Sequence, residues 1–317
     1  MPDEKSAPPS KIILPYVHPP REWIVDQIMP IGQLCLLVGP AGVGKTTHSF
    51  DLCDDIQEGR LVYGRQVRQT GVVIVSCDRD EDSHYDRLTS LGIPHHRFAF
   101  FPQRDAPTSI ERIVSACTHH YKSHRLLFID GFGTLVPDGK LNDYGVVSRF
   151  LADCGALCKK HKITILGSIH TAKAKEGEAY TSPREQALGS AAWAGFADLM
   201  IVMQRDNPKE PADPIRRVHV CTRGGAGDFT LKYKMDKDQG GRLVLYEDPV
   251  EQDLMSLMDY WIGQQAFDRL IPTREFIQEG KNFTLSQSLV EKWLFNQVEK
   301  GHLDRPVRGK YQRVRTQ

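Results

Sequence analysis

Eight consecutive residues, Gly39, Pro40, Ala41, Gly42, Val43, Gly44, Lys45 and Thr46, have the types and spacing that hold a triphosphate. Glycines let the backbone curl so that successive N–H groups converge on phosphate oxygens, and the amino end of a following helix adds positive dipole. Lys45 then reaches the β- and γ-phosphates, the Thr46 hydroxyl ligates Mg²⁺, and the binding stretch extends to Thr47. It follows the apolar run Gln33 to Val38 and opens into Thr47-His48-Ser49-Phe50-Asp51-Leu52-Cys53, so it lies where a strand turns into a helix. That is the setting a P-loop requires, and it argues against a glycine-rich turn that binds nothing.

Hydrolysis also needs carboxylates at the same edge. Arg125-Leu126-Leu127-Phe128-Ile129-Asp130 is an apolar strand ending in an aspartate, the Walker B pattern, whose carboxylate holds the Mg²⁺ shell. Buried strands often end in Asp, so this pattern draws its weight from Lys45 in the same domain. A third cluster, Asp78, Asp80, Glu81 and Asp82, follows Gly71-Val72-Val73-Ile74-Val75-Ser76-Cys77. Asp78 is the first acid beyond that run and is the candidate for orienting the attacking water, with Glu81 in reserve. A solvated acidic helix start is the competing account.

The elements that must position these groups alternate. Strands near residues 33–38, 71–77, 97–101, 125–130 and 163–170 are separated by helices over 47–53, 82–91, 109–121 and 146–161, which predicts βαβ units and a parallel sheet covered on both faces. Strands at 199–203, 216–221, 229–233 and 243–246 have short connections and are expected to extend the sheet by antiparallel pairing. Residues 1–20 form a proline-bearing arm with too little apolar content to fold alone, residues 21–247 the α/β domain, and residues 248–317 a small second domain.

Composition narrows the function classes. The 317 residues carry 41 basic and 40 acidic side chains, a formal net charge of +1, so any nucleic-acid surface must be local. Seven cysteines lie mostly within apolar patterns, as expected of reduced core residues in a cytoplasmic protein. Cys154, Cys158 and His161 share a helical face, which a half-buried helix explains better than a metal site. No run reaches the roughly 18 apolar residues of a membrane span.

The order of parts resembles the RepA type of RecA-fold ATPases, ring-forming helicases of plasmids and phages related to DnaB-like replicative helicases. The residues that carry the resemblance are Trp23, Gly39 to Thr46, Asp78, Asp130, and Ser168-Ile169-His170 followed by Gly189-Ser190-Ala191-Ala192. It covers about residues 20 to 247 and implies ATP and Mg²⁺ as ligands and a homo-oligomer, a hexamer in that family, with nucleotide between subunits. By the same resemblance His170 is the sensor that ends the strand after Walker B, and Arg223 reaches the neighbouring subunit's γ-phosphate, with Arg205, Arg216 and Arg217 as runners-up. The sequence departs from the family twice. An aspartate stands where a catalytic glutamate is usual, and Cys221 replaces the lysine two residues before the arginine.

Two loops are candidates for single-stranded DNA: Val136 to Asp143 with Lys140, and Thr171 to Gln186 with Lys173, Lys175 and Arg184. In the second domain, apolar residues at helical spacing from Leu254 to Ile262, a helix after Pro272, a third capped by Thr284-Leu285-Ser286, and a hairpin turning near Gly309 resemble a winged helix. Its third helix would expose Gln287, Ser288 and Lys292, and the wing carries Arg305, Arg308, Lys310, Arg313 and Arg315. The expectation is an α/β RecA-like P-loop NTPase with a small winged helix, acting as an ATP-driven DNA motor in replication of a mobile element. The alternatives are an ATPase switch that loads or remodels a repair complex, an ATP-controlled DNA-binding regulator, and, least favoured, a small-molecule kinase.

Overall fold

The computed structural model describes residues 20–78, 80–101, 109–171, 191–208, 210, 212–246, 249–266, 269–283, 285–307 and 310–314. The chain forms two compact units, Met1–Val244 and Leu245–Gln317.

The first unit opens with a short hairpin of β1 (Trp23–Val25) and β2 (Met29–Pro30), which the sequence pattern did not predict. Alternation then begins: β3 (Leu34–Gly39), α1 (Lys45–Glu58), β4 (Gly71–Ser76), α2 (Glu81–Ser90), β5 (Ala99–Phe101) and α3 (Ile110–His120). It continues through β6 (His124–Asp130), α4 (Tyr144–His161), β7 (Thr164–His170) and α5 (Ala191–Phe196). Four strands close the unit: β8 (Leu199–Arg205), β9 (Ile215–Thr222), β10 (Phe229–Asp236) and β11 (Arg242–Leu245).

These strands form one nine-stranded sheet in the order β11-β10-β9-β8-β3-β7-β6-β4-β5. From β8 to β5 every pairing is parallel, whereas β9 pairs antiparallel with both β8 and β10. The change of direction follows connection length, because a parallel neighbour needs a crossover of a dozen or more residues and an antiparallel one does not. β3 is flanked by β7 and β8, so its loop stands at the middle of the sheet edge.

Burial on both faces explains the continuous apolar runs. Leu34, Leu36 and Val38 enter one core with Ile113 and Val114 of α3 and Leu151, Cys154 and Cys158 of α4. Cys35 and Leu37 enter the other core with Phe50, Cys53 and Ile56 of α1 and Leu88 of α2. Each such Leu or Val contributes about 1.5–3 kcal/mol on burial, which holds the functional edge rigid from behind. Cys154 and Cys158 are fully buried, and burial pushes the Cys158 thiol up to about 12, so both are neutral core side chains. Among the described residues, no three His, Cys, Asp or Glu side chains are grouped to hold a metal, and no helix is long and apolar enough to cross a membrane.

The second unit contains α6 (Pro249–Gly263), β12 (Ile271–Pro272), α7 (Thr273–Asn282), α8 (Gln287–Glu299), β13 (Leu303–Val307) and β14 (Lys310–Arg313). Ser286 caps α8, its Oγ accepting from Leu289 N–H at 3.3 Å. The strands pair in the order β12-β14-β13, so the hairpin gains a third strand from the residues just before α7. A separate core of Met258, Ile271, Phe276, Val290, Trp293, Leu294 and Leu303 holds it together.

Candidate nucleotide site

The loop between β3 and α1 turns through Gly42 at φ 71° and Gly44 at φ 105°, left-handed values that other residues rarely adopt. Lys45 opens α1 and is buried, with Nζ donating to Gly39 O at 2.8 Å and to Pro40 O at 3.0 Å. His170 ends β7 opposite Gly39, and its Nδ1 lies 3.1 Å from the same Nζ. An ammonium only donates, so Nδ1 accepts and the ring proton sits on Nε2.

The Walker B carboxylate is held on both oxygens. Oδ1 of Asp130 accepts from Ser168 Oγ at 2.6 Å, and Oδ2 accepts from Thr46 Oγ1 at 3.2 Å. Ser168 in turn accepts from Gly131 N–H at 3.0 Å. His84, fully buried on α2, places Nε2 2.8 Å from Ser76 Oγ and 3.9 Å from Asp130 Oδ2. Ser168 and His170 are two apart on one strand, so one face of β7 touches both the Asp130 carboxylate and the Lys45 ammonium. The alternation rule would have marked Ser168 once His170 was chosen, but its partner across the sheet was not legible.

A magnesium nucleotide fits these residues. Two oxygens bound at right angles to one Mg²⁺ at about 2.1 Å lie about 3 Å apart, close to the Thr46–Asp130 separation.

Asp78 stands beside this network. A Cβ built on Gly131 would lie 2.6 Å from Asp78 Cγ, so the carboxyl crosses directly over the residue after Asp130. Asp80 has a structural duty, capping α2 by accepting from Ser83 N–H at 2.8 Å. Glu81 is the first residue of α2, and its side chain lies outside what is described.

The four arginines separate sharply. Arg216 is buried, and its Nε donates to Val43 O at 2.8 Å, bracing the phosphate loop from behind. Burial and the neighbouring Arg205 both lower its pKa. Arg205, its register partner, lies beside Gly42, with Nη2 4.0 Å from where a Cβ there would be. Arg217 pairs with Asp206. Arg223 follows Thr222, which pairs with Leu199 at the start of β8, so it lies at the sheet edge where β3 begins, away from the loop. Five residue steps of β3 at ~3.3 Å each put roughly 17 Å between the two edges. There Arg223 is exposed, and its Nη2 donates to Gly195 O at 2.8 Å.

The DNA candidates scatter. Val136–Asp143 is a compact connection: Pro137–Gly139 forms a 3-10 turn, Leu141 O accepts from Trp193 Nε1 at 3.4 Å, and Asp143 caps α4. Lys140 pairs there with Asp138 at 3.3 Å. Lys173, Lys175, Arg184, Arg308 and Arg315 lie outside the described residues. On α8, Lys292 is half-buried, while the exposed row Gln287, Glu291, Phe295 and Glu299 carries two carboxylates. Arg305 stacks over Tyr311 at 5.7 Å, and Lys310 is exposed. Arg313 is spent internally, donating to Gly263 O at 2.9 Å and Gln265 O at 2.7 Å.

Over residues 14–176, just over half its length, the sequence matches the AAA domain family, and the chain belongs to that family. Among solved structures, one ATPase domain aligns at 15% identity over 68% of this chain and 85% of its own, with TM-score 0.54. A DnaB-like replicative helicase, described with its interactions with primase, aligns at 15% identity over 68% of this chain and 58% of its own, with TM-score 0.53. No curated protein matches. At these identities the structural likeness defines a fold, the RecA-like ATPase core with its mostly parallel sheet.

Proposed function

We propose that this chain is an ATP-hydrolysing subunit of a ring that works on DNA, a helicase or translocase serving replication. The observation that carries the proposal is the division of catalytic groups between sheet edges. Lys45, Thr46, Asp130 and Asp78 gather at one edge, whereas Arg223 stands at the other and cannot reach the loop of its own chain. A closed assembly brings one chain's first edge against the next chain's second edge.

In this reading the loop amides and Lys45 bind the phosphates, and Arg205 and Arg216 add positive charge beside them. Thr46 and Asp130 would hold Mg²⁺, which when bound draws charge from the phosphate oxygens. Ser168 fixes the Asp130 carboxylate so that Oδ2 stays toward Thr46. Asp78 orients the attacking water and takes up its proton. Arg223 of the neighbouring copy stabilises the charge that develops on the transferred group. Arg305 and Lys310 are the phosphate-contacting candidates of the second unit, whose element order supports a winged helix.

The test is ATP hydrolysis with and without single-stranded DNA, run with displacement of an annealed strand and a mass measurement of the assembly. Severalfold stimulation together with strand displacement supports the motor. Stimulation without displacement favours a loading or remodelling switch, and no stimulation at any salt concentration removes DNA from the reading.

A further inference from the structure

Arg223 is gripped at its backbone as well as its side chain. Its N–H donates to Asp198 O at 2.8 Å, and its carbonyl accepts from Arg21 Nη1 at 2.7 Å. The same Arg21 guanidinium donates through Nη2 to Asp198 Oδ1 at 2.8 Å and lies over the Trp23 ring at 5.2 Å. The turn that follows is seated on the β1–β2 hairpin. Ala226 N–H donates to Gln27 O at 2.8 Å, and a Cβ on Gly225 would lie 2.0 Å from that oxygen, so only glycine permits the approach. The guanidinium of Arg223 rests on the carboxyl end of α5, through Gly195 O at 2.8 Å and Ala194 O at 3.4 Å.

Arg21 thus closes a small ring, Arg21 to Asp198 to Arg223 and back, that holds the main chain of Arg223 on both sides of its Cα. The Arg21–Asp198 pair is about one-third exposed on the arginine side. Pairs of that kind add little to stability, so fold maintenance is a weak account of a guanidinium shared between a carboxylate and a distant main-chain carbonyl. Aim is a stronger one, since displacing a reacting group by about 1 Å costs on the order of 100-fold in rate.

We infer that Arg21 is a positioning residue for the neighbouring copy's nucleotide site: it fixes the backbone of Arg223, and with it the direction in which that arginine leaves the subunit. The inference rests on the trans role of Arg223 proposed above. Arg21→Ala should lower kcat of the assembled protein roughly 10- to 100-fold, with the KM for ATP within about twofold and the assembly mass unchanged. Arg21→Lys keeps a cation for Asp198 without the two-pronged fork and should fall between.

Subunit mixing decides the matter. Lys45→Ala chains, which retain the arginine edge, are mixed with Arg21→Ala chains, which retain the phosphate loop, and in parallel with Arg223→Ala chains. Recovery of hydrolysis in both mixtures supports the inference. Recovery with Arg223→Ala alone overturns the role of Arg21 and leaves the trans arginine standing. Recovery with Arg21→Ala alone separates Arg21 from Arg223 and also overturns the inference. If neither mixture recovers, the trans reading fails and takes the inference with it. An unchanged kcat in Arg21→Ala overturns it outright. Should Arg21→Ala not assemble, Arg21→Lys is carried through the same mixtures with the same outcomes.

Discussion

The two ends of β3 hold their functional groups in different ways. At the carboxyl end, Lys45, Asp130 and Ser168 are buried, and side chain to side chain hydrogen bonds link the three elements α1, β6 and β7. At the amino end, Arg21 and Arg223 are exposed and anchor chiefly on carbonyl oxygens, with Asp198 the one carboxylate among them. Burial fixes the first set inside one chain, where a low dielectric strengthens each contact. The second set lies at the surface, with its backbone fixed and its guanidinium groups held by hydrogen bonds while still partly open to solvent.

The largest effect expected from breaking this contrast is at Arg223. Arg223→Ala should reduce hydrolysis by about 10³- to 10⁵-fold in the assembly while leaving nucleotide affinity unchanged, measured by titration with a fluorescent analogue. A parallel loss of affinity would mean that Arg223 holds the bound nucleotide before reaction and does not act only on the charge that develops during transfer.

Next comes His48, buried in α1 with Nε2 2.7 Å from the Tyr63 hydroxyl, where burial lowers its pKa to about 4. The unfolded chain takes up this proton near pH 6.5 and the folded chain only near 4, so stability is lost as pH falls between those values. The loss from this group is up to about 3 kcal/mol. Urea unfolding at stepped pH measures it, and in His48→Gln the slope over that interval should flatten.

Ser168→Ala comes third, removing one of the hydrogen bonds that orient Asp130. A 10- to 100-fold loss in Mg²⁺ affinity or rate is expected, with little change in nucleotide binding when metal is withheld. Magnesium titrations of wild type and variant compare the two. An unchanged metal dependence would show that Thr46 orients the carboxylate sufficiently alone.

The smallest effects lie in the second unit. Arg305→Ala and Lys310→Ala should each reduce the slope of log affinity against log salt for DNA by about one. Arg313→Ala should instead lower the melting temperature, because its donors serve Gly263 and Gln265. Slopes unchanged from wild type in Arg305→Ala and Lys310→Ala would remove the wing from DNA contact.

How much of this was legible in the sequence depended on distance along the chain. Gly39 to Thr46 and the strand ending in Asp130 are local patterns, and both occupy the places their spacing implied. Asp78 is the first acid past a buried run, and it lies against Gly131. What could not be read was lateral. The identity of β3's neighbours decides that Ser168 meets Asp130 and that Arg216 braces Val43, and strand order is not written in any one segment. The arginines show the limit most clearly. The resemblance puts Arg223 first with Arg205, Arg216 and Arg217 as runners-up, but only the antiparallel course of β9 sends Arg216 toward the loop and Arg223 away from it. Lys140 stood in a loop by composition, yet a 3-10 turn and Trp193 make that segment a compact joint.

Placing Ser168 and His170 on one face of β7 has a mechanical consequence. Pairing with parallel strands on both sides fixes the register of β7, and with it the spacing at which the two side chains stand along the strand. The contact to the Asp130 carboxylate and the contact to the Lys45 ammonium are therefore tied to one backbone and cannot be adjusted independently.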